Sequence, residues 1–169
     1  MRNVLILPTG GEIRDGTVLD TDSPELMRQV LAAYPLCRVI RASPLSDEES
    51  AIAEAVLEGR DGGAGLVVLI GGSGGGHRHS SSLGKDYTHS ALEKILENPA
   101  SRAIYGKNGH LWSRMLCGRL GDTVVINVPG PFTEAQAAFA AFLKSWRDRP
   151  GDCAAACLAM AEAVLEHYG

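Results

Sequence analysis

Leu66-Val67-Val68-Leu69-Ile70 is an unbroken apolar run with no polar residue inside it. A strand with one wet face alternates apolar and polar side chains. A short run without alternation buries both faces, as strands do in a parallel sheet covered by helices. Three more short runs read as strands: Val4–Leu7, Arg38–Ile40 with Cys37, and Thr123–Val128. The segments between them carry helical spacing and start signals. Ser23-Pro24 offers an N-cap followed by a proline at the first helical position. Ser46-x-x-Glu49, Ser90-x-x-Glu93 and Thr133-x-x-Gln136 have the form of capping boxes. A last helix is expected from about Cys153 to His167, and the stretches Asp61–Gly65, Gly71–Gly84 and Asn98–Gly109 read as irregular. Strands alternating with helices build βαβ units. The expectation is an α/β fold, three layers αβα around a mostly parallel sheet. Residues 1–169 are expected to form one domain, with a C-terminal helix over 152–168 appended to it.

Charge and composition narrow the function classes. Sixteen Lys+Arg against twenty Asp+Glu give a net charge of −4 with no tail of one sign, which argues against a broad grip on nucleic acid. No window approaches the roughly 18 apolar residues of a membrane helix, so no membrane partner is expected. The start of the chain lacks a secretory pattern, and Cys37, Cys117, Cys153 and Cys157 contain no C-x-x-C pair. A cytoplasmic, reduced protein is the expectation. Cys153 and Cys157 share a helix face at i, i+4; they read as packed thiols, with metal binding alongside a histidine as the alternative.

In open parallel sheets, ligands bind outside the carboxyl ends of the strands. Four exits matter: Pro8-Thr9-Gly10-Gly11-Glu12, Ser43-Pro44-Leu45-Ser46-Asp47, Gly71-Gly72-Ser73-Gly74-Gly75-Gly76 and Pro129-Gly130-Pro131. Glycine makes up 20 of the 169 residues, and the third exit concentrates it. Glycines directly after a buried strand let backbone N–H groups converge into a nest for a phosphate, with the Ser73 hydroxyl as a further donor. A plain Gly-rich loop is the alternative reading. His77 and His79 further along have metal-ligand spacing or are simply solvated, while Arg78 and Lys85 raise the local positive potential. Asp47 and Asp86 each stand just past a strand exit. Two carboxylates facing a phosphate imply Mg²⁺; an acidic residue near a helix start also satisfies the helix dipole.

Taken together, these segments resemble the molybdopterin-binding superfamily: the Mog/MoaB-type molybdopterin adenylyltransferases, the related domain of MoeA-type insertases and the N-terminal domain of CinA-type proteins. Thr9-Gly10-Gly11-Glu12-Ile13-x-x-Gly16-x-x-x-Asp20-x-Asp22 resembles the family's T-G-D-E-[IL]-x-x-G-x-x-x-D-[ST]-N. Ser43-x-x-x-Asp47 with Ile52, Leu66 to Gly74, Lys85-Asp86-Tyr87-Thr88-x-x-Ala91-Leu92, Leu111-Trp112-Ser113-Arg114 with Gly118, and Val128-Pro129-Gly130 follow in family order, over residues 3–143. The resemblance implies a MogA-like αβα fold, often a homotrimer, acting in molybdenum cofactor biosynthesis. It implies Mg²⁺, ATP and molybdopterin as ligands, with adenylyl transfer to the pterin phosphate and release of pyrophosphate. By the same resemblance Asp47 and Asp86 are the catalytic and Mg²⁺-binding aspartates. Thr9, Gly10, Asp20, Gly71, Gly72, Ser73, Gly74, Lys85, Thr88, Ser113, Arg114, Pro129 and Gly130 fall on ligand-binding positions. A non-catalytic pterin or nucleotide carrier or sensor, and a CinA-like nucleotide pyrophosphatase, are the alternatives. The chain departs from the family in three places. Ten residues, Gly75 to Gly84, separate the glycine loop from Lys85-Asp86, more than the family carries there. Gly11 stands for the family's aspartate and Asp22 for its asparagine.

Overall fold

The computed structural model describes residues 1–72, 87–107, 109 and 111–166. In chain order the elements are β1 (Asn3–Pro8), α1 (Gly11–Arg14), α2 (Asp22–Ala33), β2 (Arg38–Arg41), α3 (Glu49–Asp61) and β3 (Leu66–Ile70). There follow α4 (Tyr87–Ile95), β4 (Glu97–Tyr105), β5 (Leu111–Leu120), β6 (Thr123–Val128), α5 (Phe132–Asp148) and α6 (Cys153–Glu166). The strands form one sheet in the order β2-β1-β3-β6-β5-β4. The first four are mutually parallel; β5 runs antiparallel to β6, and β4 antiparallel to β5.

β1, β3 and β6 of the parallel part each feed two cores. Leu66, Val68 and Ile70 of β3 pack on one face with Leu26 and Val30 of α2, Phe139 and Phe142 of α5, and Met160 of α6. Val67 and Leu69 pack on the other with Ile52 and Val56 of α3 and Leu92 of α4. The sheet is therefore the middle of three layers, as expected. α6 shares the first of these cores and packs on α5, β4 and β5.

Two sequence expectations are corrected. The stretch taken as irregular from Asn98 to Gly109 is mostly strand β4, and β5 went unassigned. β4 lies at the sheet edge, where few of its residues are buried, and its register shifts between Glu97 and Ala100 around Pro99 and a positive-φ Asn98. Proline and a bulge are tolerated on an edge strand, but in sequence they read as a loop. The helix starts also shift. α3 begins at Glu49 after an extended Glu48, which leaves Ser46 outside it. Thr133 and Ser90 lie inside α5 and α4. Ser23 lies inside α2, where its N–H donates to Asp20 Oδ1 at 3.0 Å, so the aspartate three residues earlier satisfies that amide.

Two buried polar groups shape stability. Asn127 of β6 is fully buried; its Oδ1 accepts from Leu116 N at 2.7 Å and its Nδ2 donates to Arg114 O at 2.9 Å. The amide side chain thus continues the β5–β6 pairing beyond Ile126, where the backbone register ends. Asn127→Ala would leave a buried N–H and a buried C=O unpaired. It is expected to lower unfolding free energy by about 2–4 kcal/mol, read from urea denaturation.

Asp22, at the start of α2, is buried, and its Oδ1 has no hydrogen-bond partner among the described residues. Burial first, then the neighbouring Asp20 charge, pushes its carboxyl up to about 6. The unfolded chain releases this proton at lower pH than the folded one. Native stability therefore falls as pH rises between about 4 and 6, and the penalty is full above that. Asp22→Asn is expected to stabilise the protein by about 1–2 kcal/mol at neutral pH, with the gain vanishing below about pH 4. Thermal unfolding across that range checks it.

Candidate functional site

β1, β2, β3 and β6 all point their carboxyl ends to one edge of the sheet. The strand order reverses between β1 and β3, because the chain steps from β1 outward to β2 and then back across β1 to β3. At such a reversal the two exit loops diverge and leave a crevice. The loops lining it are held by a chain of backbone bonds. Leu45 N donates to Pro8 O at 2.9 Å and Gly10 N to Leu45 O at 3.2 Å, joining the exits of β2 and β1. Thr9 N and Thr9 Oγ1 both donate to Ile70 O, at 2.9 and 2.8 Å, joining β1 to β3. Gly71 N donates to Val128 O at 3.0 Å, joining β3 to β6.

Asp47 stands in the turn between β2 and α3, two residues before the helix. Its Oδ2 accepts from Gly11 N at 3.3 Å, across to the β1 exit, and the side chain remains exposed. This cross-loop bond separates Asp47 from the simple helix-start reading. α1 holds no buried residue, and Gly11 itself leaves open space where a side chain would be.

Glycine is required at two points by close approach as well as by backbone. Gly71 has φ 97°, and a Cβ there would come 2.9 Å from Thr9 Oγ1. Gly72 has φ 62°, and a Cβ would fall within 2.0 Å of Thr88 Oγ1. Thr88, in the first turn of α4, is thereby pressed against the glycine segment while itself buried. Because Gly71 N is spent on the sheet ladder, it contributes nothing to an amide nest. That expectation narrows to Gly72 and the residues after it.

Pro129 and Gly130 follow β6 directly, and Gly130 lies against Gly71 Cα. Ser113 sits near the start of β5, and β5 opposes β6, so Ser113 is at the same edge. It is fully buried, and its hydroxyl has no hydrogen-bond partner among the described residues. Thr9, Gly10, Asp47, Gly71, Gly72, Thr88, Ser113, Pro129 and Gly130 therefore share the carboxyl edge. Asp20 belongs to the outer end of that edge. Its Oδ2 accepts from Arg41 Nε at 2.8 Å. Burial would raise its carboxyl, but Ser23 and Arg41 outweigh this and hold it below the ordinary carboxylate value. Arg114 is committed elsewhere, with Nε donating to Ser101 Oγ at 2.9 Å and its guanidinium paired with Glu93 at 2.6 Å. Ser73, Gly74, His77, His79, Lys85 and Asp86 lie outside the described residues, and so does the stretch Gly75 to Gly84. Among the described residues no group of three or more His, Cys, Asp or Glu is arranged to hold a metal ion, and no helix is long and apolar enough to cross a membrane.

Sequence reasoning missed Asn127, which anchors the start of β5 and so the placement of Ser113. The available signal was one polar residue inside the apolar run Thr123–Val128.

A family profile described as a probable molybdopterin binding domain matches residues 5–148. No curated protein matches the chain by sequence. Among solved structures, the molybdopterin biosynthesis enzyme MoaB from Thermus thermophilus is similar at 22% identity, with 97% of each chain covered and a TM-score of 0.66. A molybdopterin biosynthesis protein from Mycobacterium abscessus is similar at 23% identity, covering 99% of this chain and 96% of that one, with a TM-score of 0.61. CinA from Thermoplasma acidophilum is similar at 19% identity, covering 87% and 96%, with a TM-score of 0.60. At these identities the structures share the fold, while the profile spans most of the chain, from β1 through α5. The chain belongs to the molybdopterin-binding domain family.

Proposed function

We propose that this protein binds molybdopterin and transfers an adenylyl group to it from ATP, as a step of molybdenum cofactor biosynthesis. The observation that carries the reading is Asp47: an exposed carboxylate fastened by Gly11 N at the sheet's point of reversal, on the edge that also bears Thr9, Gly72, Thr88 and Ser113. Transfer to a phosphate needs two anionic reactants held in line and their charge offset, more than it needs a covalent nucleophile. A phosphate oxygen of the pterin attacks the α-phosphorus of ATP, the bond to the β-phosphate oxygen breaks, and pyrophosphate leaves. The glycine exits allow close backbone approach, Ser113 supplies a hydroxyl with no partner among the described residues, and Asp86 is the second carboxylate of the proposal. Mg²⁺ fits this donor set, because it is bound by one or two carboxylates together with substrate phosphates. Asp47 and Asp86 would hold it, and when bound it offsets the charge that develops on the phosphates.

Residues 1–169 are read as one domain, since α6 shares the core of the α2–α5 layer rather than forming one of its own. A homo-oligomer, with the family's trimer as its form, is part of the same reading. A second reading, binding without turnover, is favoured by Gly11, which removes the carboxylate the family carries beside Asp47.

Pyrophosphate release from Mg²⁺-ATP and molybdopterin tests the proposal. Asp47→Asn is expected to lower kcat by about 10²–10³-fold while pterin affinity stays within a few-fold. Full turnover by that variant, or by Asp86→Ala, overturns it. Tight pterin binding with no ATP turnover selects the carrier reading instead. Hydrolysis of a dinucleotide pyrophosphate without pterin selects a CinA-like one.

A further inference from the structure

β2 is an edge strand, and its two faces differ. Val39 packs on the α2 side with the first core. Arg38, Ile40 and Ala42 turn to the other side, where they border a cavity of about 420 Å³ between β1, β2 and α3. Ile40 keeps a large apolar side chain exposed there. The α3 wall is made of small residues: Ala55 and Gly59 share a helix face at i, i+4, and Gly62 caps the helix just beyond. Gly59 is the point of closest approach between α3 and the sheet. A Cβ there would come 2.7 Å from Leu5 Cδ2 and 3.2 Å from Val67 Cγ2. Outward from that contact, toward the edge strand, the small residues leave the cavity. Its size falls within the range of small-molecule sites, about 300–1,000 Å³, and its lining is of their kind, mostly apolar with a few polar groups.

Two charged residues belong to this lining, Arg38 on the strand wall and Glu58 on the helix wall. Neither side chain forms an ion pair or a hydrogen bond among the described residues. The neighbouring arginines are neutralised, Arg41 by Asp20 and Arg60 by Asp61. Arg38 stands opposite Asn3 in the β1–β2 register, and Asn3 Nδ2 donates to Gly63 O at 3.1 Å, just past the end of α3. The start of β2 and the end of α3 therefore meet at the same end of the cavity, on the amino edge, away from the rim that carries Asp47. A single surface charge is ordinarily just solvated. Here opposite charges stand on two walls of one apolar cavity without pairing with each other. An apolar anion entering it meets Arg38 but is repelled by Glu58; an apolar cation meets Glu58 but is repelled by Arg38. A zwitterion with an apolar body satisfies both.

We propose that the cavity between β1, β2 and α3 binds a free apolar α-amino acid of the leucine kind. Arg38 takes the carboxylate, Glu58 takes the ammonium, and the side chain enters among Leu5, Ile40 and Ala55. The affinity comes from removing the ligand's apolar side chain and those of Leu5 and Ile40 from water together. The two charges select the amino acid over an acid or an amine of the same shape. Binding is non-covalent and uses none of the residues at the carboxyl rim, so it stands independently of the adenylyl-transfer reading.

The test titrates the whole chain with L-leucine at neutral pH, by calorimetry and by methyl NMR. Saturable binding is expected, with shifts at the Leu5, Ile40 and Ala55 methyl groups. Two analogues of the same shape separate the charges: isocaproate lacks the ammonium and isoamylamine lacks the carboxylate. Each is expected to bind at least about tenfold more weakly than leucine. Glycine keeps both charges without the apolar body, and should also bind at least about tenfold more weakly. Arg38→Gln and Glu58→Gln change exposed side chains outside both cores, so the fold is kept. Arg38→Gln should weaken leucine about tenfold while leaving isoamylamine no weaker, and Glu58→Gln should weaken leucine while leaving isocaproate no weaker. The proposal is overturned by the absence of saturable leucine binding up to about 10 mM. Equal binding of either analogue, methyl shifts confined to other residues, or unchanged leucine affinity in either variant overturns it as well. The wild-type ligand series decides it without any substitution.

Discussion

β3 is buried on both faces and paired in parallel on both edges, to β1 and to β6. Every other feature of the carboxyl edge follows from that placement. A parallel neighbour on each side requires crossovers over the sheet, and the crossovers supply the helices that cover β3. Because its neighbours run the same way, their exits emerge together. Ile70 O can then take both donors of Thr9, and Val128 O can take Gly71 N, only because the three strand ends come out level. Parallel pairing converts separate loops, far apart in the chain, into one continuous rim.

That rim imposes its own chemistry on the residues next to it. Gly71 and Gly72 have no room for a side chain because Thr9 and Thr88 already fill the space. The packing that fixes the glycines also fixes the threonines. A substitution at either glycine would therefore move a hydroxyl at the rim as well as strain the turn, so the rim residues form a unit whose geometry is set by the sheet. Among the described residues, Asp47 joins it through its bond to Gly11 N, and its side chain is exposed.

The legible part of this fold was the part governed by burial. Leu66–Ile70 and Thr123–Val128 could be read to the residue because a two-sided core leaves an unbroken apolar run. β4 was not legible because its stability comes from hydrogen-bonding to β5, to which the side chains Glu97-Asn98-Pro99 contribute no pattern. Helix starts were misplaced for a related reason. Hydroxyl side chains in a cap-like spacing were available at Ser46, Ser90 and Thr133, yet no cap bond of this kind anchors α3 or α5; tertiary packing decides where those helices begin. In the site, the strand exits were visible as glycine and proline after apolar runs. The tie between Asp47 and Gly11 was not, since it joins residues 36 apart by a contact no local spacing encodes.

Two of the buried polar atoms left unpaired among the described residues lie near the rim. A fold that satisfies every buried group is the stable default, and exceptions gather where function asks for a group the fold does not use. Ser113 Oγ and Asp22 Oδ1 are such exceptions. One sits at the start of β5, the other at the entry to α2 beside the Asp20–Arg41 pair, and both are on the carboxyl side of the sheet. Their cost is carried by the two cores, whose apolar layers lie immediately behind. The rim therefore keeps hydrogen-bonding capacity for a partner from outside.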